Sequence, residues 1–197
     1  MVVVKKGNVA IIAADTLTKY GDLKFPHQYH VDGNEKIFQF RDSYIGVVGA
    51  SAHMDVLRTI CQKHPDDICF DSRQDVFETY VRIHPILKDE YFINPSPDHE
   101  AAYESSQIDA LIANPRGIFG MYSWRTACEY ERFYAIGTGR EYALGAMFTV
   151  YENETPEKIA EAGIRAASEF DDSSGWPMTM KRIELLPKGS IKGATAR

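Results

Sequence analysis

The side chains in this chain that could do chemistry are scattered, and their spacing rules out several familiar reactions before it suggests one. Gly137-Thr138-Gly139 reads as a strand-to-helix turn, where backbone amides could cradle a phosphate. A dinucleotide fingerprint would need a third glycine where Tyr142 stands, and the segment lies far from the first strand–helix unit, so nucleotide binding is set aside. Ser105-Ser106 has no nucleophile-elbow context. His27, His30, His53, His64, His84 and His99 follow no ligand pattern, so no zinc site is expected. Cys61, Cys69 and Cys128 are odd in number and lack a CxxC spacing; they read as reduced thiols, and no metal or other cofactor is expected. What remains is Asp15 at the end of an apolar run, Lys36 in NEKIFQF, Gly46 in YIGVVGASAH, and Asp171 with Ser174 in FDDSSGW. Each has a structural account by itself: a turn-forming acid, a solvated strand lysine, a packing glycine, and an Asx-type turn closing a helix before Gly175.

The elements that must position these residues follow from hydrophobic patterning. Of 197 residues, 44% are hydrophobic and 25% charged, ordinary for one domain with a sizeable core. A net charge of -6 argues against nucleic acid or an anionic membrane as partner. The apolar run 9–14 is too short for a signal peptide and ends on Asp15, and nothing approaches a membrane span, so a soluble cytoplasmic protein is expected. Residues 2–4 and 9–14 are rich in β-branched side chains around Gly7-Asn8 and predict a buried hairpin. Residues 36–40 and 44–48 predict a second strand pair. Apolar residues at helical spacing predict a helix over 53–63, and a capping box of Ser72 and Asp75 opens another that Pro85 should stop. Residues 88–106 read as an exposed loop. Strands are expected at 108–113, 118–123 and 132–136, helices over 140–151 and from Thr155-Pro156, and a last strand over 179–185. The tail from 187 is expected to be mobile. Two strands-then-helices blocks and a final strand predict an α+β fold. Two antiparallel sheets pack on each other and are flanked by helices, a four-layer αββα sandwich in one domain.

Read together, VVVKKGNVAIIAAD, Lys36, the Gly46 strand, AIGTGREYALGA and FDDSSGW resemble the β-type subunit of the proteasome and its bacterial relatives, the N-terminal-nucleophile hydrolases. HPILKDEYF, YESSQIDALIAN and YERFYAIGTGREYALGAM point to the bacterial proteasome-homologue subgroup. The resemblance implies a threonine-type endopeptidase subunit acting on peptides or unfolded proteins inside a self-compartmentalised ring of identical subunits, two rings stacked, with an ATPase unfoldase as a further partner. It implies catalytic roles for Asp15 and Lys36 as the charge pair beside the base, Gly46 at the oxyanion, and Thr138, Asp171 and Ser174 holding the amine and the attacking hydroxyl. The family usually carries serine where Thr138 stands. Thr18 and Lys19 would line the edge where an extended peptide adds, and Tyr44 and Val48 the pocket for the side chain before the scissile bond. The family's nucleophile is a threonine that begins the first strand, with its free α-amine as base. Aligned through Asp15, that threonine falls two residues before Met1, so the chain is expected to have been started late. The alternative is a catalytically inactive, ring-forming structural subunit. A small-molecule amidohydrolase ranks last, because no Cys or Ser lies near Met1.

Overall fold

The computed structural model describes residues 1–31, 35–94 and 103–187. Along the chain run β1 (Val2–Lys6), β2 (Val9–Asp15), β3 (Thr18–Tyr20), β4 (Leu23–Phe25), β5 (Ile37–Phe40), β6 (Ser43–Val48), α1 (Ser51–Lys63), α2 (Arg73–Asp89), β7 (Asp109–Asn114) and β8 (Gly117–Tyr122). They continue with β9 (Thr126–Tyr130), β10 (Phe133–Ala135), α3 (Arg140–Val150), α4 (Pro156–Phe170) and β11 (Met178–Glu184).

The first hairpin is apolar on both faces because both faces are covered. Val2, Val4, Ile11 and Ala13 pack toward α3 and α4, while Val3, Ala10, Ile12 and Ala14 face the second sheet. Each such Val or Ile, fully withdrawn from water, contributes about 1.5–3 kcal/mol. The hairpin forms the middle of an antiparallel sheet ordered β10-β1-β2-β11. The second sheet runs β5-β6-β7-β8-β9. Ile45, Val47, Ala110 and Ile112 of that sheet pack toward α1 and α2, and Leu111, Ala113 and Ile118 face the first sheet. The result is the expected sandwich of two antiparallel sheets between two helical layers. Among the described residues no helix is long and apolar enough to cross a membrane.

Three details differ from the sequence expectation. Helix α2 does not stop at Pro85 but runs through it to Asp89, which takes in the first residues of the expected 88–106 loop. A proline lacks the N–H that would bond the carbonyl four residues back. That carbonyl belongs to Val81, whose residue is exposed, so water can serve it at little cost. The expected strand over 132–136 is the later part of a longer run. The chain forms β9 in the second sheet, passes the exposed Glu131 and Arg132, and joins the first sheet as β10. The hairpin β3–β4 was not foreseen, because strands of three residues around Gly21 (φ 58°) are too short to show a period. Residues 95–102 of the expected loop and the expected mobile tail past Pro187 lie outside the described residues.

Candidate active site

The ends of several elements converge on one cleft of about 770 Å³. β2 brings Asp15, the turn into β5 brings Lys36, the β10–α3 turn brings Thr138, and the α4–β11 turn brings Ser174. Asp15, only 5% exposed, accepts from Lys36 Nζ at 2.9 Å on one carboxylate oxygen and 3.0 Å on the other. Its Oδ2 also accepts from the backbone N–H of Leu17 at 3.1 Å and of Gly175 at 3.2 Å. The acid is therefore a clasp as well as a counter-ion. It fixes the lysine and pins the 171–175 turn to the end of β2. Thr16 strengthens the same seam, its hydroxyl donating to the Pro177 carbonyl at 2.8 Å.

In the turn that Asp15 pins, Asp171 Oδ2 accepts from two hydroxyls, Thr138 Oγ1 at 2.7 Å and Ser174 Oγ at 2.6 Å. Threonine at 138 thus makes a hydrogen bond that serine could also make. Gly139 lets these groups meet: a Cβ there would stand 2.8 Å from the Ala167 Cβ, 3.1 Å from Ser174 Oγ and 3.2 Å from the Asp171 Cβ. Ala167 is carried by α4, which packs against α3, β1 and β2. Gly139→Ala is expected to cost about 1–3 kcal/mol in urea unfolding. Gly145→Ala, on α3 with nothing within 4 Å of its Cβ, should instead gain up to about 1 kcal/mol. Equal midpoints for the two variants would refute this reading of Gly139.

Met1 lies in the same place. It exchanges both backbone hydrogen bonds with Ile136, its α-amine donating to the Ile136 carbonyl at 3.2 Å and its carbonyl accepting at 3.0 Å. Its thioether covers Gly46: a Cβ at Gly46 would sit 2.3 Å from Met1 Sδ, so a side chain there would displace it. Burial lowers the α-amine pKa from 8.0 to about 6; Asp15 and Asp171 pull it up and Lys36 pushes it down. A base depressed in the folded state is neutral there between pH 6 and 8 while the unfolded amine is protonated. Stability then rises with pH through that window: roughly 3 kcal/mol is lost progressively as pH falls from 8 to 6, and no more is lost below it. The polypeptide with a free Met1 amine should show this rise in urea unfolding relative to an N-acetylated sample. Parallel pH curves for the two would contradict it.

Of the residues expected at the site, Asp15, Lys36, Thr138 and Ser174 line the cleft together with Thr18, Lys19 and Val48. Asp171 stands just behind, bonded to Thr138 and Ser174, and Gly46 lies under Met1. Lys19 is held by Asp172 at 2.8 Å. Tyr44 is not part of the cleft: it sits toward the opposite end of β6 from Val48 and packs into the layer between the sheets. The two-residue strand period puts Tyr44, Gly46 and Val48 on one face, and only distance along the strand separates them.

Leu17, Met54 and Asp109 also line the cleft and were not singled out, since nothing local marks them. A second arrangement escaped sequence reasoning. Ser106 Oγ lies 2.8 Å from His84 Nδ1, and His84 Nε2 lies 3.1 Å from Glu104 Oε2. This chain of serine, imidazole and carboxylate has the form of a hydrolytic triad, but Ser106 is 1% exposed and no substrate can reach its oxygen.

Comparison with solved structures follows the same lines. The chain is similar to the Thiobacillus denitrificans BPH protein, at 38% identity and a TM-score of 0.87, over 94% of this chain and 98% of the other, both by itself and in complex with epoxomicin. Its fold is also that of the eukaryotic HslV from Trypanosoma brucei, at 17% identity and a TM-score of 0.66, over 93% of this chain and 98% of that one. No family model and no curated protein matches the chain.

Proposed function

Since this chain belongs to the proteasome β-type family, we propose that it is a threonine-type endopeptidase subunit of a self-compartmentalised particle that degrades peptides or unfolded proteins. The observation that carries the reading is that the Asp15–Lys36 pair and the two hydroxyls on Asp171 come together at the cleft that Met1 lines. Register supports it further. Val2 pairs with Ala135, and Met1 exchanges its hydrogen bonds with Ile136. A strand continued backward by two residues would run opposite Thr138, with its side chain on the face shared by Met1 and Val3, toward the cleft.

A threonine there would carry its hydroxyl and its α-amine into this charge arrangement. The hydroxyl oxygen attacks the substrate carbonyl carbon and its proton passes to the α-amine. The oxyanion that forms develops beside Gly46, where the missing side chain lets the substrate carbonyl come close to β6. The C–N bond then breaks, the leaving amine takes the proton back, and water hydrolyses the ester. Lys36 keeps the α-amine neutral by like-charge repulsion, and Asp15 holds Lys36 in reach.

Assembly in stacked rings of identical subunits belongs to the same proposal, as do a cytoplasmic setting and supply of substrate by an ATPase unfoldase. Phe77 and Val81, exposed on α2, offer apolar surface for a head-to-tail contact that closes a ring. Protein isolated from its own cells should scatter light as a particle many times the 22.2 kDa chain. It should also cleave short fluorogenic peptides and lose that cleavage with epoxomicin, the ligand seen in the Thiobacillus relative. An assembled particle that binds epoxomicin and cleaves no peptide would defeat the peptidase reading, and a monomer at micromolar concentration would defeat the ring.

A further inference from the structure

We propose that Asp109 selects substrates by a cationic side chain, lysine or arginine, entering the end of the cleft between β6 and α1. The proposal deepens the peptidase reading by naming the substrate class of that same cleft. Asp109 is the first residue of β7, paired in register with Val48, and it lines the cleft together with Val48, Ser51 and Met54. Its Oδ1 accepts from the Ser123 N–H at 2.7 Å, which fixes the carboxylate while its second oxygen has no partner among the described residues.

The other charges that line the cleft are already paired. Lys36 holds Asp15 at 2.9 Å, Lys19 holds Asp172 at 2.8 Å, and Arg140 holds Glu141 at 2.8 Å. Asp109 is the one lining carboxylate without a cation among the described residues. The nearest candidate to neutralise it does not do so. His53, packed against Gly49 with Nδ1 buried and without a partner among the described residues, has its pKa held below the ordinary value by burial, with Asp109 pulling only partly the other way. The imidazole is then neutral near pH 7.

A lysine or arginine fits what is left. Its methylene stem can lie on Val48 and Met54 while its head meets the free carboxylate oxygen. An acidic side chain, which the uncapped N-terminus of α1 would attract, meets Asp109 as a like charge. A neutral apolar side chain fills the stem's space and leaves the carboxylate without a partner.

The test has a binding arm and a turnover arm. The full chain would be titrated, by fluorescence polarisation, against dye-labelled tripeptide amides ending in arginine, leucine or glutamate. The arginine peptide is expected to bind about 10–100-fold tighter than the leucine peptide, with glutamate weakest. Asp109→Asn, which keeps an oxygen for the Ser123 N–H and so the local fold, should erase the preference, and Asp109→Lys should turn it toward glutamate. Equal affinities for arginine and leucine peptides, or a preference that survives in Asp109→Asn, would overturn the proposal. In an enzyme that begins with threonine, the same order should appear in kcat/KM for cleavage after these residues. Arginine-selective binding with no hydrolysis of any peptide would refute the peptidase reading and leave Asp109's selectivity standing.

Discussion

Peptide hydrolysis will rise by a factor on the order of 10⁴–10⁶ when two threonines precede Met1 and the first is the free amino terminus, relative to the 197-residue polypeptide that begins at Met1. The scale is that of losing the nucleophile in a hydrolase that works by covalent catalysis, where the rest of the site retains only a small residual rate. Neither the thioether of Met1 nor the side chain of Val2 can attack a carbonyl. The rest of the arrangement is already present in this polypeptide: the Asp15–Lys36 pair, the Thr138–Asp171–Ser174 group and the bare Gly46. Two residues of added strand continue the pairing of Met1 with Ile136 and turn its buried amine into an amide that can keep the bond to the Ile136 carbonyl. Fluorogenic tripeptides assayed with both forms, matched by far-UV circular dichroism, decide the matter. Equal turnover would show that the nucleophile assignment is wrong.

In that threonine-led enzyme, Lys36→Ala is expected to lower kcat/KM by at least about 10²-fold, the scale of general base catalysis. Burial does most to push down the pKa of the Met1 amine in this site, Lys36 adds to it as a positive charge, and Asp15 and Asp171 act against it. Without the lysine both carboxylates remain, so the amine is more readily protonated and the acidic limb of the pH–rate profile should move to higher pH. Asp15, 5% exposed, also loses its charge partner and keeps only the Leu17 and Gly175 N–H groups. Adding back activity by raising the pH would separate this electrostatic role from simple collapse of the site, which would lower the rate at every pH. Lys158→Ala, an exposed lysine of α4 paired with Glu154, should stay within about twofold of the parent. Were Lys36→Ala also within twofold, Lys36 would have no part in the chemistry.

The layers of this fold were legible in the sequence because long apolar runs report burial directly. The runs 2–4 and 9–14 are apolar at every position, which only strands covered on both faces can tolerate, and β1 and β2 are the covered centre of their sheet. The caps of α2 and α4 were equally plain, with Ser72 accepting from the Asp75 N–H and Thr155 from the Lys158 N–H. Where local signals misled, a tertiary condition had overridden them. Pro85 did not end α2 because the carbonyl it abandons is at a solvated position, and the strand before α3 split because one half of the run serves each sheet.

For the site, the sequence supplied residue types and a family pattern, and from these Asp15, Lys36, Asp171 and Ser174 were singled out. It could not supply the contacts. Asp15 and Lys36 lie 21 residues apart, and Thr138 and Asp171 lie 33 apart. No local rule says that a carboxylate must meet one lysine rather than another, or that Asp15 also grips the Gly175 N–H. Tyr44 and Val48 share a strand face and pack against the same layer, so they are alike to periodicity, yet only Val48 borders the cleft. The sequence by itself determined which faces are buried, since transfer of apolar surface from water depends on residue type alone. Only the tertiary structure decided which charges meet and which cleft carboxylate, Asp109, has no cation beside it among the described residues. Pairing depends on distance, and distance is set by how the two sheets stack.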